Sequence, residues 1–314
     1  MRQAGSRHPQ RSWQAGKRLI VIADKHSHVS HRDSKKPVDG RLLKENYDKV
    51  WQLSGGTLQS SPREMERARA VLGMIPLDAR SVLEVGCGDG LIINQVDVPD
   101  RMGLDVSEEA LKNVSCPVTL GTLGDLPFPD RSWDVVIASE VIEHLAGEEY
   151  PGSLKEMNRV ASRYIIVSVP NRENMMANQT KCPACGAVYH RNFHVRSYGK
   201  RDLAALFEDF SVAEFREIGD RFRPKSRMEM ALRHHALGQW APYKNSICPV
   251  CRVSYFEPGD STLSSEAVPP RKEEVNPLRK LVRVRRTWLA ALYARSGGYD
   301  LRTAPSSAFN SDVV

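Results

Sequence analysis

The stretch Val82-Leu83-Glu84-Val85-Gly86-Cys87-Gly88-Asp89-Gly90 decides the fold of this 314-residue chain. An apolar run typical of a β-strand leads directly into three alternating glycines. Glycine adopts positive φ and places no side chain between the backbone and a ligand. At the carboxyl end of a central strand, such a loop lines the crevice where open α/β sheets bind their ligands. Taken alone, the glycines also fit a plain tight turn.

An acidic residue strengthens the interpretation of the loop as a binding site. Gly103-Leu104-Asp105 ends the next apolar run, and Asp105 comes fifteen residues after Gly90. A carboxylate at the end of a second strand can accept hydrogen bonds from both hydroxyls of a ribose. The order strand, glycine loop, helix, strand and acid therefore favours a nucleoside-type cofactor over a structural turn.

Apolar runs and helical patterns alternate along the chain around this loop. The alternation predicts βαβ units and a mainly parallel sheet, in a doubly wound, Rossmann-like α/β fold. The predicted strands are Ser81–Val85, Met102–Val106, Pro117–Leu120, Trp133–Ala138, Tyr164–Val169 and Phe210–Ile218. The predicted helices are one that begins at Ser61-Pro62, then Leu91–Gln95, Glu108–Asn113, Glu140–Leu145, Gly152–Val160, Arg201–Phe207 and Pro277–Arg295.

The sequence resembles the class I S-adenosylmethionine-dependent methyltransferases over roughly residues 45–220. The third glycine comes one residue too early for the dinucleotide fingerprint G-x-G-x-x-G. The most similar subgroup is the small-molecule, type 11 group that includes quinone-biosynthesis enzymes. The motifs that carry the resemblance are the glycine loop, Leu126-Pro127-Phe128-Pro129-Asp130-Arg131-Ser132-Trp133-Asp134-Val135-Val136, Ser139-Glu140-Val141-Ile142-Glu143-His144-Leu145 and Val167-Ser168-Val169-Pro170-Asn171.

The resemblance implies S-adenosylmethionine as the cofactor. One position departs from the family pattern, because relatives often carry an adenine-binding aspartate where this chain has Thr122. Adenine contacts are then expected from Leu123 and the backbone around it. The implied cofactor-binding residues are Glu84, Gly86, Cys87, Gly88, Gly90, Asp105, Val106, Thr122, Leu123 and Ser139.

The segment after the fourth predicted strand carries the candidate catalytic residues. In-line methyl transfer needs an aligned acceptor and exclusion of water, and a hydroxyl or protonated amine acceptor also needs a base. His144 is the natural candidate because imidazole titrates near neutral pH, with Glu140 beside it. Alternatively, Glu140 and His144 buttress the following helix. The resemblance to some ubiquinone-pathway O-methyltransferases suggests a third role, with Glu140, Glu143 and His144 holding a divalent cation.

The segment His194-Val195-Arg196-Ser197-Tyr198 precedes a predicted helix. In similar enzymes the equivalent segment lies over the substrate side. Its side chains are expected either to contact the acceptor or to hold the loop in place.

Four of the six cysteines form two C-x-x-C pairs, Cys182/Cys185 and Cys248/Cys251. Each pair has the form of a zinc knuckle, and two knuckles supply the four thiolates of a closed structural zinc site. The alternatives are a redox dithiol and mixed ligation with His190 or His194. Cys87 and Cys116 belong to neither pair.

The distribution of charge bears on the partners. Residues 1–45 carry 11 Lys and Arg against 4 Asp and Glu, and residues 265–314 carry 9 against 5, whereas residues 46–264 carry 25 against 29. A core that binds nucleic acid through phosphates should itself be basic, so a nucleic-acid substrate is not expected. The segment Pro277–Arg295 is interpreted as a helix packed on the core or as a basic helix in peripheral contact with an anionic membrane, and a mobile tail or a contact with a partner remains open.

The predicted organisation has three parts. Residues 1–44 form a basic, disordered extension, and residues 45–258 form the methyltransferase domain with knuckle elements at 180–194 and 246–253. Residues 259–314 form a polar linker and the basic helix. With 41% hydrophobic residues and no apolar run of about 20 residues, a cytoplasmic protein is expected.

Three functions are compatible with these features. The leading hypothesis is methyl transfer to an O or N atom of a small molecule, sugar or lipid-linked intermediate. The second is an RNA or protein methyltransferase that uses the basic tails and the zinc module for recruitment. The third is a cofactor-binding scaffold without catalysis.

Overall fold

The fold centres on one seven-stranded sheet with the strand order β3-β2-β1-β4-β5-β11-β8. The structure is a computed structural model that describes residues 47–52, 61–243, 246–255 and 283–297. Neighbouring strands are parallel except at β11, which runs antiparallel to both β5 and β8. The strands of this sheet are β1 (Ser81–Val85), β2 (Asp100–Asp105), β3 (Val118–Leu120), β4 (Trp133–Ser139), β5 (Ala161–Pro170), β8 (Phe210–Phe222) and β11 (Arg285–Arg295).

Helices and short turns cover both faces of the sheet. The helix α1 begins where the sequence predicts, since the Ser61 side chain accepts a hydrogen bond from the Glu64 amide. Residues 47–52 are also helical and are called the helical segment 47–52 below. The labelled helices are α1 (Pro62–Leu72), α2 (Glu108–Leu111), α3 (Glu149–Val160), α4 (Lys200–Ala204) and α5 (Arg227–Ala231), with a 3₁₀ turn at Ile93–Gln95 and a π turn at Leu232–Ala236.

Two apolar cores lie on opposite faces of the sheet. Successive strand residues alternate between them, as Val135 and Val136 of β4 show by packing into different clusters. Strands that are buried on both faces are continuous apolar runs, and parallel sheets covered by helices have such strands. The predicted Rossmann-like, mainly parallel fold is therefore confirmed.

Strand β11 replaces the helix predicted at Pro277–Arg295. Its central residues from Trp288 to Ala294 are all buried, because the strand is inserted between β5 and β8. An interfacial helix needs one exposed polar face, so a membrane-contacting helix is wrong for residues 285–295. Residues 277–282 lie outside the described residues.

Two small antiparallel pairs lie outside the central sheet. The strands β6 (Gln179–Lys181) and β7 (Val188–His190) follow β5, while β9 (Ser246–Ile247) and β10 (Ser254–Tyr255) follow β8. The turn within each pair contains one C-x-x-C motif. The structure thus places each of the two C-x-x-C motifs in the turn of a short antiparallel pair, called a knuckle below.

Other predictions differ in detail. The segment Glu140–Leu145 is a turn rather than a helix, and it starts at Glu140 with φ of 59°. The predicted helix Leu91–Gln95 contracts to the 3₁₀ turn. The predicted N-terminal extension 1–44 lies outside the described residues. Among the described residues, every helix is too short or too polar to cross a bilayer.

Candidate functional site

The glycine loop after β1 has a backbone that other residues adopt only with strain. Gly86, Gly88 and Gly90 have φ values of 68°, 53° and 81°. A Cβ atom on Gly86 would lie 2.4 Å from Cγ2 of Val141, so alanine there would force the Val141 side chain to move. The amides of Gly86 and Cys87 both donate to the Leu104 carbonyl, at 2.7 and 3.0 Å. The loop is therefore fixed against the end of β2.

Asp105, the last residue of β2, lies directly beside this loop. Its Oδ2 accepts a hydrogen bond from the Gly88 amide at 2.8 Å, and its Oδ1 accepts one from the Ser107 amide at 2.8 Å. Burial raises the pKa of the Asp105 carboxyl, and the hydrogen bonds from Ser107 and Gly88 oppose that shift. The structure brings together the two elements that the sequence assigns to an adenosyl group.

Glu84 supports the loop from within the fold. Its Oε2 accepts a hydrogen bond from the Ile93 amide at 2.9 Å, which ties β1 to the 3₁₀ turn. Burial raises the pKa of Glu84 to about 8, although this hydrogen bond and the nearby Arg67 act in the opposite direction. Glu84 thus has a positioning role in the structure.

The remaining predicted cofactor residues lie along the same carboxyl edge of the sheet. Cys87 is buried, and burial raises the pKa of its thiol. Val106 is half-buried directly after Asp105. Thr122 is exposed, whereas the Leu123 side chain packs into the apolar core. Ser139 is buried at the end of β4, where its Oγ accepts from Arg67.

The helical segment 47–52 covers this edge. Tyr47 Oη lies 2.7 Å from Nδ1 of His144, and Asp48 Oδ1 accepts from the Ser107 hydroxyl at 2.6 Å. The Trp51 ring comes so near the loop that a Cβ on Gly88 would lie 3.0 Å from it. Sequence reasoning did not find these residues, because they contact positions 59 and 97 residues further along the chain.

His144 lies in a compact group of aromatic and acidic side chains. Burial lowers the pKa of His144 well below its usual value, and the nearby His194 and His190 lower it further. The His144 and His194 rings meet edge to face, with 4.7 Å between their centroids. His144 is therefore a neutral imidazole at neutral pH.

Glu140 and Glu143 have different surroundings. Oε2 of Glu140 accepts from the Trp288 indole at 3.0 Å, and burial raises the pKa of Glu140 to about 7 while Arg67 opposes that shift. Glu143, His144 and His194 instead have ligand atoms within 4.8 Å of one another. In the structure His194, rather than Glu140, is thus grouped with Glu143 and His144.

Arg67 of α1 is a buried residue that the sequence did not single out. Its guanidinium donates to Oε2 of Glu64 at 2.7 and 2.9 Å and to the Ser139 hydroxyl. In sequence it is one more charged residue of an amphipathic helix, so no local signal marks it. The contact fixes α1 on the end of β4.

The segment His194–Tyr198 holds the turn after β4 in place. The Arg196 guanidinium donates to the Leu145 carbonyl at 3.0 Å, and the Tyr198 hydroxyl donates to the Ile142 carbonyl at 3.2 Å. The Val195 amide donates to the Glu143 carbonyl at 2.8 Å. Of the two expected roles, these contacts favour anchoring of the loop.

The four knuckle cysteines converge in space. The Sγ atoms of Cys182 and Cys251 lie 3.6 Å apart, as do those of Cys185 and Cys248. Tetrahedral Zn–S bonds of ~2.3 Å place sulfurs about 3.8 Å apart, so the set fits a zinc ion. None of the six cysteines forms a disulfide. His190 and His194 contact Glu173 rather than this group, which disfavours mixed ligation.

Comparison with known proteins points to one family. Residues 83–164 match the family model described as "Methyltransferase domain". A "Probable S-adenosylmethionine-dependent methyltransferase" of Mycobacterium tuberculosis (strain H37Rv) is 31% identical over 165 residues, which cover 50% of this chain and 57% of that protein. A protein of the same description from Mycolicibacterium smegmatis is 38% identical over 138 residues, 41% of this chain and 50% of that protein. The chain spans about half the length of these curated relatives.

Solved structures with a similar arrangement include methyltransferases of low sequence identity. Magnesium protoporphyrin IX methyltransferase from Synechocystis, with bound SAH, has a TM-score of 0.45 and 15% identity, covering 58% of this chain and 94% of that one. A SAM-dependent methyltransferase from Archaeoglobus fulgidus has a TM-score of 0.43 and 18% identity, covering 74% and 93%. The strand order is that of a Rossmann-like fold, and residues 83–164 within it match the methyltransferase-domain model.

Proposed function

We propose that the chain is an S-adenosylmethionine-dependent methyltransferase that acts on an O or N atom of a small molecule, sugar or lipid-linked intermediate. The observation that carries the proposal is the contact between Asp105 Oδ2 and the Gly88 amide at 2.8 Å. It places a carboxylate and a bare backbone at the same point of the carboxyl edge. The matched relatives carry the same activity in their names, which supports the proposal.

The residues of this edge fit an adenosyl cofactor. When bound, the cofactor supplies an activated methyl group on a sulfonium. Because its glycines have no side chains, the loop would let the cofactor approach the backbone closely. Asp105 would orient the ribose hydroxyls. The helical segment 47–52 lies over the loop and shields it from water, a condition that favours displacement reactions in closed sites.

Proton removal from the acceptor is assigned to His144. A base must be unprotonated before it can act, and the lowered pKa of His144 keeps it so at neutral pH. For Nε2 to accept a proton, Nδ1 must carry the hydrogen and donate it to Tyr47 Oη. Glu140 is less suited to this role, because Trp288 engages its carboxylate.

The charge of the core supports a small acceptor. Residues 46–264 carry 25 Lys and Arg against 29 Asp and Glu, so this part of the chain has no excess of cations for a polyanion. Recruitment of RNA or protein would depend on the basic residues of the two ends, which lie mostly outside the described residues.

The zinc ion has a structural role in this proposal. Four thiolates fill a tetrahedral coordination sphere, so no position is open for a reactant. The ion would join the knuckle β6–β7 to the knuckle β9–β10, which the Tyr189 and Ser246 hydroxyls also link at 2.9 Å. The two C-x-x-C motifs would in this way join the segment that follows β5 to the segment that follows β8.

Calorimetry with S-adenosylhomocysteine and labelled-methyl transfer to fractionated cell extract test the proposed function together. Binding followed by a labelled small product would support it. Binding with no labelled product in any fraction would favour the scaffold function. Label on RNA or protein, lost when residues 1–44 are removed, would favour the polymer substrate. Absence of binding would refute all three.

A further inference from the structure

Five side chains form a histidine–carboxylate cluster between the turn after β4 and the β6–β7 knuckle. The cluster comprises Glu143, His144, Glu173, His190 and His194. It is separate from the four-cysteine group, and the proposed methyl transfer uses only His144. Its chemistry, imidazole with carboxylate, is that of sites for borderline divalent metals.

Hydrogen bonds fix the protonation of the two histidines from the knuckle. Nδ1 of His190 accepts the His194 amide at 3.2 Å, so the His190 proton resides on Nε2. That proton is donated to Oε1 of Glu173 at 3.2 Å, and Nδ1 of His194 lies 2.5 Å from Oε2 of the same carboxylate.

This contact places the Nδ1 hydrogen of His194 on Glu173 Oε2 as its acceptor. The lone pair of His194 is then on Nε2. Metal-binding histidines show this arrangement, in which the ring donates its other N–H to a carboxylate that sets the tautomer and the ring orientation. On His144, Tyr47 engages Nδ1 in the corresponding way, at 2.7 Å.

Glu143 adds an independent observation. Its side chain is fully buried, and neither carboxylate oxygen has a hydrogen-bond partner among the described residues. A buried carboxylate without a partner is costly, and such groups are rare in folded proteins unless a water or an ion satisfies them. This unsatisfied carboxylate has ligand atoms within 4.8 Å of those of His144 and His194.

We infer that Glu143, His144 and His194 bind a divalent transition-metal ion such as Zn²⁺ or Fe²⁺, with Glu173 and Tyr47 orienting the two imidazoles. Bonds of ~2.0–2.2 Å bring ligand atoms about 3–3.5 Å apart, so side-chain shifts of about 1 Å close the site. Two imidazoles and one carboxylate favour these ions over Mg²⁺ and Ca²⁺, which prefer oxygen ligands. Three protein ligands leave positions open, in contrast to the four-thiolate site.

The inference goes beyond the proposed function, because ion binding is measurable without methyl transfer. The two roles of His144 exclude each other while the ion is bound. His144 is then a ligand, and the base role applies to the metal-free chain.

Cobalt reconstitution of the full-length chain tests the inference. The chain is stripped with chelator, reloaded with Co²⁺, and its ion content is measured by plasma mass spectrometry. The wild type should hold one ion more than Glu143→Gln and His194→Ala. The absorption band from thiolate-to-cobalt charge transfer reports only the cysteine site. Its intensity should be equal in the wild type and in the two variants. Glu173→Gln should lower the affinity for the additional ion about 10–100-fold, because Glu173 acts through His194.

Two controls keep the result interpretable. His235→Ala removes an exposed histidine outside the cluster and should leave the ion count unchanged. Glu143→Gln replaces a buried, unpartnered carboxyl group with an uncharged group of the same shape, so its metal-free form should unfold at the same temperature as the wild type or higher, but without the rise that Co²⁺ gives the wild type. Equal ion counts in the wild type, Glu143→Gln and His194→Ala, all folded by circular dichroism, would overturn the inference.

Discussion

The amide of Gly88 donates a hydrogen bond to Oδ2 of Asp105 over 2.8 Å and so joins the glycine loop after β1 to the end of β2. One carboxylate thus shapes the loop and lies where a ribose is expected. The second oxygen of Asp105 accepts a hydrogen bond from the Ser107 amide, and the Ser107 side chain caps α2. The cofactor site is for this reason more rigid than a loop of three glycines suggests.

Replacement of Asp105 should remove most cofactor affinity. Asp105→Ala deletes hydrogen bonds to a charged group, each contributing ~1.5–3 kcal/mol, so S-adenosylhomocysteine should bind about 10–100-fold more weakly by calorimetry. Asp100→Asn, at the exposed amino end of the same strand, is the matched control. Equal losses in both variants would contradict the assignment.

Alanine at Gly86 should destabilise the fold more than alanine at Gly147. Both glycines have positive φ, 68° and 50°, but a Cβ on Gly147 would meet nothing within 4 Å. Gly147→Ala should therefore cost only the left-handed backbone strain of ~1–2 kcal/mol. Gly86→Ala adds the collision with Val141, a further ~1–3 kcal/mol. Urea unfolding measures the difference, and equal losses would refute the contact.

Stability should fall as the pH rises, in part because of Glu84. Its pKa is raised from 4.5 to about 8 by burial, so its contribution is complete below about pH 4.5 and is lost as the pH rises through 8. Relative to Glu84→Gln, the wild type should lose about 2–4 kcal/mol of unfolding free energy between pH 5 and 8. Glu140 and Glu143 titrate in both proteins and cancel in this difference.

The exposed Glu66 of α1 provides the control for that experiment. Glu66→Gln should keep the wild-type pH dependence in denaturant titrations at each pH. If Glu84→Gln also keeps the wild-type pH dependence of the unfolding free energy, the raised pKa of Glu84 is wrong.

Cysteine substitution should show whether the four clustered cysteines bind a structural zinc ion or are isolated thiols. Cys248→Ser should lose one zinc ion per chain by plasma mass spectrometry and lower the melting temperature by about 5–10 °C. Cys116→Ser changes a half-buried cysteine outside the cluster and should keep both properties. A zinc-free wild type purified in zinc-containing buffer would contradict the site.

Removal of β11 should destroy the sheet. A chain ending at residue 284 lacks the strand between β5 and β8, which leaves both with unpaired edges. It should be insoluble or aggregated in size-exclusion chromatography. A chain ending at residue 297 retains β11 and should stay soluble. Cooperative unfolding of the shorter chain would show that the strand is dispensable.

The parallel part of the fold was predictable because its signals are local. Each strand from β1 to β5 contains apolar residues next to glycine, proline or polar residues, and the predicted bounds of β1 match those observed. Strand β11 was not predictable in the same way. Its buried run of Leu, Ala and Tyr has no alternation, and Leu289 and Leu292 also fit helical spacing.

The candidate site was predictable where one motif supplies several residues. The glycine loop, Asp105 and the cysteine pairs all come from short patterns. Glu173, Tyr47 and Arg67 act through contacts that join distant parts of the chain, such as the 97-residue separation of Tyr47 and His144. Glu140 shows the opposite case, since its motif was visible but its positive φ turns the chain away from the expected helix.

The position of β11 also has a consequence for biosynthesis. Residues 285–295 leave the ribosome after β5 and β8, yet they lie between these two strands in the finished sheet. Until residues 285–295 have been synthesised, β5 and β8 each lack the partner that β11 provides, and unpaired strand edges favour aggregation. The sheet can therefore be completed only after the other six strands have been synthesised. Chaperones should matter most between the synthesis of β8 and that of β11.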